Sequence, residues 1–263
     1  MLRHFINRLL SRPLPLQVLI AVALVCLWQA MAMIELGGPG ALPGPLLVLA
    51  ALATELSSKA GWVTIADTLL SWVVGLVIAI VFGVFVGALL GLSRFTYRST
   101  RGLFDFARSV PPIALLPMGV FLIGTGRSLP VTMIIWTCMW PLVLQTMYGV
   151  RDVDTVAADA MRSLRLTRFQ KLIWLVGPSA LPYIMTGIRI SAVMSLVVSI
   201  GTELIVSLPG IGYALYHSQY SGQIPRMYAY VLISAFVGSI ITFVFTRLQA
   251  RSLRWHPSYR EVA

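Results

Sequence analysis

Six apolar stretches, separated by segments that collect arginine, constrain this chain more than any other feature. They run over Pro15 to Met33, about Val63 to Leu92, Val110 to Ile123, about Pro130 to Val150, about Leu181 to Val206 and about Met227 to Thr246. A helix needs about 20 predominantly apolar residues to cross a bilayer. Five stretches have that length. The third is cut by Pro111, Pro112 and Pro117. Lipid-facing backbone must satisfy its own hydrogen bonds, so this broken span is expected to lie buried among other helices.

Composition excludes the alternatives. Hydrophobic residues make up 58% of the 263 residues and charged residues 11%. A soluble domain carries about 25% charge, and nine acids do not cover the surface of a water-soluble protein this long. Disorder needs low hydrophobicity. The net charge of +11 would point to nucleic acid in a soluble chain. Here the arginines sit between apolar runs rather than in one patch with stacking aromatics, so no nucleic-acid partner is expected.

The charges also set sidedness. With the N-terminus inside, sixteen basic residues fall in inner segments, among them Arg3, Arg94, Arg98, Arg101, Arg108, Arg151, Lys171 and Arg247. The outer segments hold only Lys59, Arg127 and Arg226, and Arg189 is left inside a span. Cytoplasmic loops collect lysine and arginine. The reading is an all-α polytopic membrane protein with six transmembrane helices and both termini cytoplasmic.

The first stretch follows Arg3, Arg8 and Arg12, and Ala30-Met31-Ala32 matches a signal-peptidase pattern. It exceeds a signal-peptide core of about 7–15 residues, so it is read as an uncleaved helix. Gly37-Gly38-Pro39-Gly40 and Pro43-Gly44-Pro45 break the chain after it. Leu46 to Leu56 is then a short helix placed on the membrane surface. The organisation is an N-terminal part (1–61), a core of the remaining spans (62–247) with a long loop at 151–171, and a basic tail (248–263).

Within the spans, Gly83, Gly87 and Gly91 recur every four residues, which predicts a face for close helix packing. Ser191, Ser195, Ser199 and Glu203 form a slanting polar stripe on the fifth span. Serines of this kind bond to their own helix or glue helices together; the alternative is a polar lining of a pathway, sharpened by the intramembrane carboxylate. Arg189 is placed to snorkel inward. Asp67 is read as interfacial, and Trp62, Trp136, Trp140 and Trp255 as including interfacial anchors. Cys26 and Cys138 lie in apolar runs and read as small core residues, with no disulfide. His4, His217 and His256 form no metal motif.

No catalytic constellation is present. The only lysines, Lys59 and Lys171, do not complete a phosphate-cradling loop, and there is no G-x-S-x-G or H-E-x-x-H. Energy-dependent work would need a nucleotide site on another chain. The 21-residue segment from Arg151 to Lys171 is long for a connector. Within it Ala157, Ala160, Met161 and Leu164 fall at i, i+3, i+4 and i+7, which predicts a short amphipathic helix. Taken alone, that helix either caps the chain's own inner surface or docks a partner.

The segment resembles the EAA loop of binding-protein-dependent ABC importer permeases. Asp159-Ala160-Met161-Arg162-Ser163-Leu164-Arg165 aligns with the motif's start, and Gly177-Pro178-Ser179-Ala180-Leu181-Pro182 with its end. Leu42-Pro43-Gly44-Pro45, Thr68-Leu69, Pro112 to Pro117, Gly187-Ile188-Arg189, Glu203 and Leu208 to Tyr213 look like the nitrate/sulfonate/taurine branch. The likeness covers roughly residues 42 to 250. It departs at Asp159, where the family has glutamate, at Met161, where it has alanine, and at Arg165, where it has glycine. Glycine there permits a left-handed turn. Arginine makes that turn costlier, which predicts a differently bent loop or a different partner groove.

The resemblance implies a type I importer permease fold in a bacterial inner membrane, with no cofactor, no metal and no catalytic residue. It implies a second permease copy, a cytoplasmic ATPase dimer and a solute-binding protein as partners, and lipid as solvent. It assigns coupling to Ala157, Asp159, Ala160, Met161, Arg162, Leu164 and Arg165. A self-contained secondary transporter is the rival reading, but it needs mid-membrane ion groups and usually an internal repeat. A membrane-embedded enzyme would need clustered acids, bases or nucleophiles.

Overall fold

The computed structural model describes residues 13–35, 38 and 40–255. Arg3, His4, Arg8, Arg12, His256 and Arg260 lie outside them, as do Gly37 and Pro39 of the first break. Every regular element among the described residues is helical. The helices are α1 (Pro13–Met33), α2 (Pro45–Ser57), α3 (Lys59–Gly91), α4 (Arg94–Ala107), a 3₁₀ turn (Pro112–Leu115) and α5 (Leu116–Ile123). They continue with α6 (Ser128–Arg151), α7 (Thr155–Ser163), α8 (Arg168–Lys171), a π turn (Leu172–Val176), α9 (Gly177–Val206), α10 (Ile211–Tyr220) and α11 (Ile224–Ser252).

Five of these helical stretches are long and apolar enough to cross a membrane. A sixth span results if the pair at 98–107 and 112–123, bent by 81°, counts as one. The chain divides into two compact units, residues 1–62 with 215–233, and 63–214 with 234–263.

In the first unit, Glu55 near the end of α2 is nearly buried. Its carboxylate accepts from Arg226 Nε at 2.7 Å and from Tyr230 Oη at 2.5 Å, both on α11. The guanidinium also lies over the Tyr230 ring. A buried carboxylate held by a cation and a hydroxyl avoids the cost of an unpaired charge. Trp28 on α1 donates its indole N–H to the Pro43 carbonyl, 3.1 Å away.

The second unit is built on α3, α6, α9 and α11. Leu76, Ala192, Leu196 and Ile241 form one apolar cluster, and Ala79, Ile134, Cys138 and Leu142 another. The glycine stripe of α3 faces α6. A Cβ on Gly83 would stand 2.6 Å from Leu142 Cβ, one on Gly87 2.6 Å from the Val143 carbonyl oxygen, and one on Gly91 3.0 Å from Val150 Cβ. Such approach gains van der Waals contact, which is what holds helices together in lipid. At the ends of α3 and α6, Arg127 pairs with Asp67 at 2.5 Å. Trp72 on α3 donates to the Ala192 carbonyl of α9 at 2.8 Å.

Several elements differ from the sequence reading. Residues 94–107, read only as a basic connector, are helical, with Ser93 Oγ accepting from the Thr96 N–H at 3.3 Å. The proline-broken segment buries only one side, through Leu116 and Gly119, while Ile113, Phe121 and Leu122 are exposed. Its backbone is satisfied locally, by Ala114 N–H to Pro111 and Gly124 N–H to Val120, so burial is not required. Residues read as a loop after Ser207 contain α10. Its Ile211, Ala214 and Ser218 are buried at i, i+3 and i+7, a helical period that the Leu208-Pro209-Gly210 breaker masks. Trp136 and Trp140 are not at a helix end. They meet edge to face in the middle of α6, 5.0 Å between ring centroids.

Pro178 and Pro182 each remove a backbone donor near the start of α9. The chain answers with the π turn, where the Gly177 N–H bonds back to the Leu172 carbonyl. This joins α8, the turn and α9 into one apolar stretch from Arg168 to Val206.

Candidate functional site

Two features of the second unit bear on function: the segment between α6 and α9, and the exposed face of α9.

Asp154 caps α7, its Oδ1 accepting from the Val156 N–H at 2.7 Å. That fixes the start of a helix two turns long, which alone in water would be marginal. Asp159 and Arg162 pair on its exposed face at 3.0 Å, with side chains 69% and 73% exposed. An exposed pair of this kind adds about 0–1 kcal/mol, so it shapes the face more than it holds the helix.

The helix ends in a Schellman motif. The Leu166 N–H bonds to the Met161 carbonyl at 3.3 Å and the Arg165 N–H to the Arg162 carbonyl at 3.0 Å. Arg165 occupies the left-handed region at φ 53°. The turn that glycine makes easily is therefore made here by arginine, and the loop does not bend another way. Thr167 and Gln170 then form a capping box that starts α8.

The apolar residues of α7 do not all face one way. Ala160 and Leu164 are exposed, whereas Ala157 and Met161 are half-buried. Val156, absent from the sequence-predicted face, is 75% exposed and continues it at i−4 from Ala160. Phe169 of α8 is also exposed. Their signal was an i, i+4 repeat ending in Leu164. Tyr183 on α9 hydrogen-bonds Asp152, tying the segment's start to the bundle.

The polar stripe of α9 lies inside the fold. Ser191, Ser195, Ser199 and Glu203 have no exposed surface. Ser191 Oγ donates to the Cys138 carbonyl of α6 at 3.3 Å and Ser195 Oγ to the Ala192 carbonyl at 3.0 Å. Glu203 Oε1 accepts from Ser199 Oγ at 3.0 Å, and Oε2 accepts from Thr68 Oγ1 at 2.8 Å and from the Gly212 N–H at 3.0 Å. The carboxylate thus holds α3 and the Leu208–Gly212 turn against α9. The two glycines of that turn have no room for side chains. A Cβ on Gly212 would meet the Ile200 carbonyl oxygen at 2.1 Å, and Gly210 sits at φ 148° beside Glu203. In this structure the stripe packs helices instead of facing an open path. Arg189 is half-buried.

The open side of α9 lines two adjoining cavities. One, of about 330 Å³, lies between Met194, Val197 and Gly201 of α9 and Ile113 and Leu116. The other, of about 250 Å³, shares Pro112, Thr137 and Met194 with it and reaches Trp136, Trp140 and Arg108. No group of three or more histidine, cysteine or acidic side chains able to hold a metal occurs among the described residues.

Comparisons with known proteins point to one family. Residues 79–255 match the family described as the inner membrane component of binding-protein-dependent transport systems. The chain is 29% identical over 256 residues to the taurine transport system permease protein of Escherichia coli K12, covering 94% of this chain and 92% of that one. It is 28% identical over 234 residues to a nitrate import permease protein of Synechocystis, covering 85% and 83%. It is 29% identical over 241 residues to a bicarbonate transport system permease protein of Synechococcus elongatus, covering 87% and 85%. Among solved structures, a chain of the inward-facing MetNI methionine ABC transporter superposes with a TM-score of 0.61 at 22% identity, covering 70% of this chain and 91% of that one. A chain of an amino acid ABC transporter gives 0.59 at 16% identity, covering 80% and 95%.

Proposed function

The chain belongs to the family of binding-protein-dependent transport system inner membrane components, and from that premise we propose how its parts divide the work. It is a multi-pass membrane permease subunit of an ABC importer, with the type I permease fold, and works with an ATPase and a binding protein. In our reading it sits in a bacterial inner membrane with both termini cytoplasmic and pairs with a second permease copy. An ATPase dimer supplies hydrolysis and this chain catalyses nothing itself. Its cargo is a small anion or related solute of the kind named for its relatives: taurine, a sulfonate, nitrate or bicarbonate.

The segment 151–171 is the coupling element in this reading. Val156, Ala160 and Leu164 enter a groove on the ATPase, Ala157 and Met161 brace the helix from behind, and Asp159, Arg162 and Arg165 border the contact. The supporting observation is an apolar face left exposed on a short helix capped at both ends. The core (62–247) carries the pathway, walled by Met194, Val197 and Gly201, while Ser191, Ser195, Ser199 and Glu203 hold that wall from behind. Gly83, Gly87 and Gly91 pack α3 onto α6. Residues 1–61 carry the first transmembrane helix and the outer surface helix, and 248–263 form a basic cytoplasmic tail.

The test is reconstitution with the partner ATPase and binding protein. Replacing Ala160 by aspartate buries an unpaired charge at the contact, which typically costs about 3–5 kcal/mol. Transport and substrate-stimulated hydrolysis should collapse while the permease inserts and elutes normally. Coupled hydrolysis at the parental rate would remove α7 as the transmission element.

A further inference from the structure

We propose that Arg108 is a specificity-determining residue of the pathway, holding the cargo's negative charge with its two terminal guanidinium nitrogens. The proposal rests on the permease reading above and names the residue that faces the cargo.

Arg108 follows α4 and precedes the Pro111-Pro112 turn. It is the one ionisable side chain among the residues lining the two adjoining cavities. Its neighbours there, Trp136, Trp140, Pro141 and Leu144, occupy the middle of α6. Leu144 stands seven residues before Arg151, roughly 10 Å along a helix at 1.5 Å per residue. The guanidinium is therefore set beside the interior of a spanning helix, not at its end. An ionisable group at such depth is costly and marks an ion or substrate route.

The local chemistry selects for an anion. Arg108 Nε pairs with Asp105 Oδ1 at 3.2 Å, and the Arg108 side chain is 57% exposed. That contact orients the guanidinium through one edge. Its terminal nitrogens form no ion pair or hydrogen bond with a described residue. The fork they present fits two oxygens of a carboxylate, sulfonate, nitrate or bicarbonate. Among the other lining residues the two indoles bring donors only, while the Thr137 and Thr202 hydroxyls give their one proton to backbone carbonyls. The indole N–H groups of Trp136 and Trp140 are buried without an acceptor, and indole offers no acceptor of its own. The Thr137 hydroxyl donates to the Met133 carbonyl. No carboxylate lines either cavity. Asp105 is the acid paired with Arg108, and it engages Nε and not a terminal nitrogen.

The test uses iodide, a heavy monovalent anion, soaked into crystals of the permease–ATPase complex. We expect an anomalous peak beside Arg108 that persists in Arg108→Lys and in Arg98→Gln and disappears in Arg108→Gln. No peak beside Arg108 in the parent, or an equal peak in Arg108→Gln, overturns the proposal. A second arm measures uptake of nitrate, taurine and bicarbonate into proteoliposomes containing ATPase and binding protein. Arg108→Gln should lower uptake at least about tenfold, the effect of losing one charge-assisted hydrogen bond, with partial rescue by lysine. Undiminished uptake in Arg108→Gln also overturns it. If the parent moves none of the three solutes, the cargo reading fails, and the iodide result still decides for or against Arg108.

Discussion

Thr68 Oγ1 donates to Glu203 Oε2 at 2.8 Å and, through the same oxygen, accepts the Ile211 N–H at 2.8 Å. One hydroxyl thus joins α3, the end of α9 and the start of α10. All three groups are buried, so each depends on the others for its hydrogen bond.

Thr68→Val keeps the shape and removes both bonds. Leaving a buried donor or acceptor unsatisfied costs about 1–3 kcal/mol. The apparent melting temperature in detergent should fall by several degrees, while Thr68→Ser stays near the parent. A valine variant as stable as the parent would show that water or another group satisfies Ile211 and Glu203.

Gly87→Ala should damage folding although alanine favours helix. Its Cβ would lie 2.6 Å from the Val143 carbonyl oxygen, and backbone does not yield easily. Overpacking of this kind costs about 1–3 kcal/mol. Gly102, with nothing within 4 Å, is the control. The yield of monodisperse protein should drop for Gly87→Ala and hold for Gly102→Ala.

Arg165→Gly should tighten the end of α7, because glycine takes φ 53° without the penalty of a Cβ. Arg165→Val should loosen it. Hydrogen exchange at the Leu166 amide, which bonds to the Met161 carbonyl, reads this directly. Exchange should slow in the glycine variant and quicken in the valine variant. Retained ATPase binding in Arg165→Gly would match a role for the turn itself; lost binding would assign Arg165 a contact on the partner.

Both termini should lie on the cytoplasmic side. The motive is the concentration of basic residues in alternate connecting segments, fifteen even without Arg108, against three in the others. A phosphatase fused after Ala263 should be inactive, and a cytoplasmic reporter at the same place active. The reverse pattern would invert the topology.

The spans, the surface-exposed α7 and the glycine stripe were legible because each is a local pattern. Gly83, Gly87 and Gly91 announce a close-packing face by spacing alone, and Ala157, Ala160, Met161 and Leu164 announce a short helix by their period. α4 was missed because its arginines resemble loop charges and its cap, Ser93, is a single residue. α10 was missed because Leu208-Pro209-Gly210 reads as a break, which it is, and the helix begins immediately after it.

What the sequence determined by itself was which segments prefer lipid, which carry basic charge and which period each helix follows. Those are properties of neighbours in the chain. Which side of α9 is inside was decided only in three dimensions. Its serines could equally have faced a path, and Met194 and Val197 could equally have been core. The choice came from groups brought in from afar, as when Thr68 reaches Glu203 across 135 residues and Cys138 meets Ser191 across 53. The same holds at Arg165, whose left-handed backbone is imposed by the bonds closing the turn. It holds at Arg108, a residue that reads as a loop charge until folding sets it beside the middle of α6. A helix presents all its faces equally in sequence, and burial is assigned by whichever partners can satisfy each face's polar groups and fill its space.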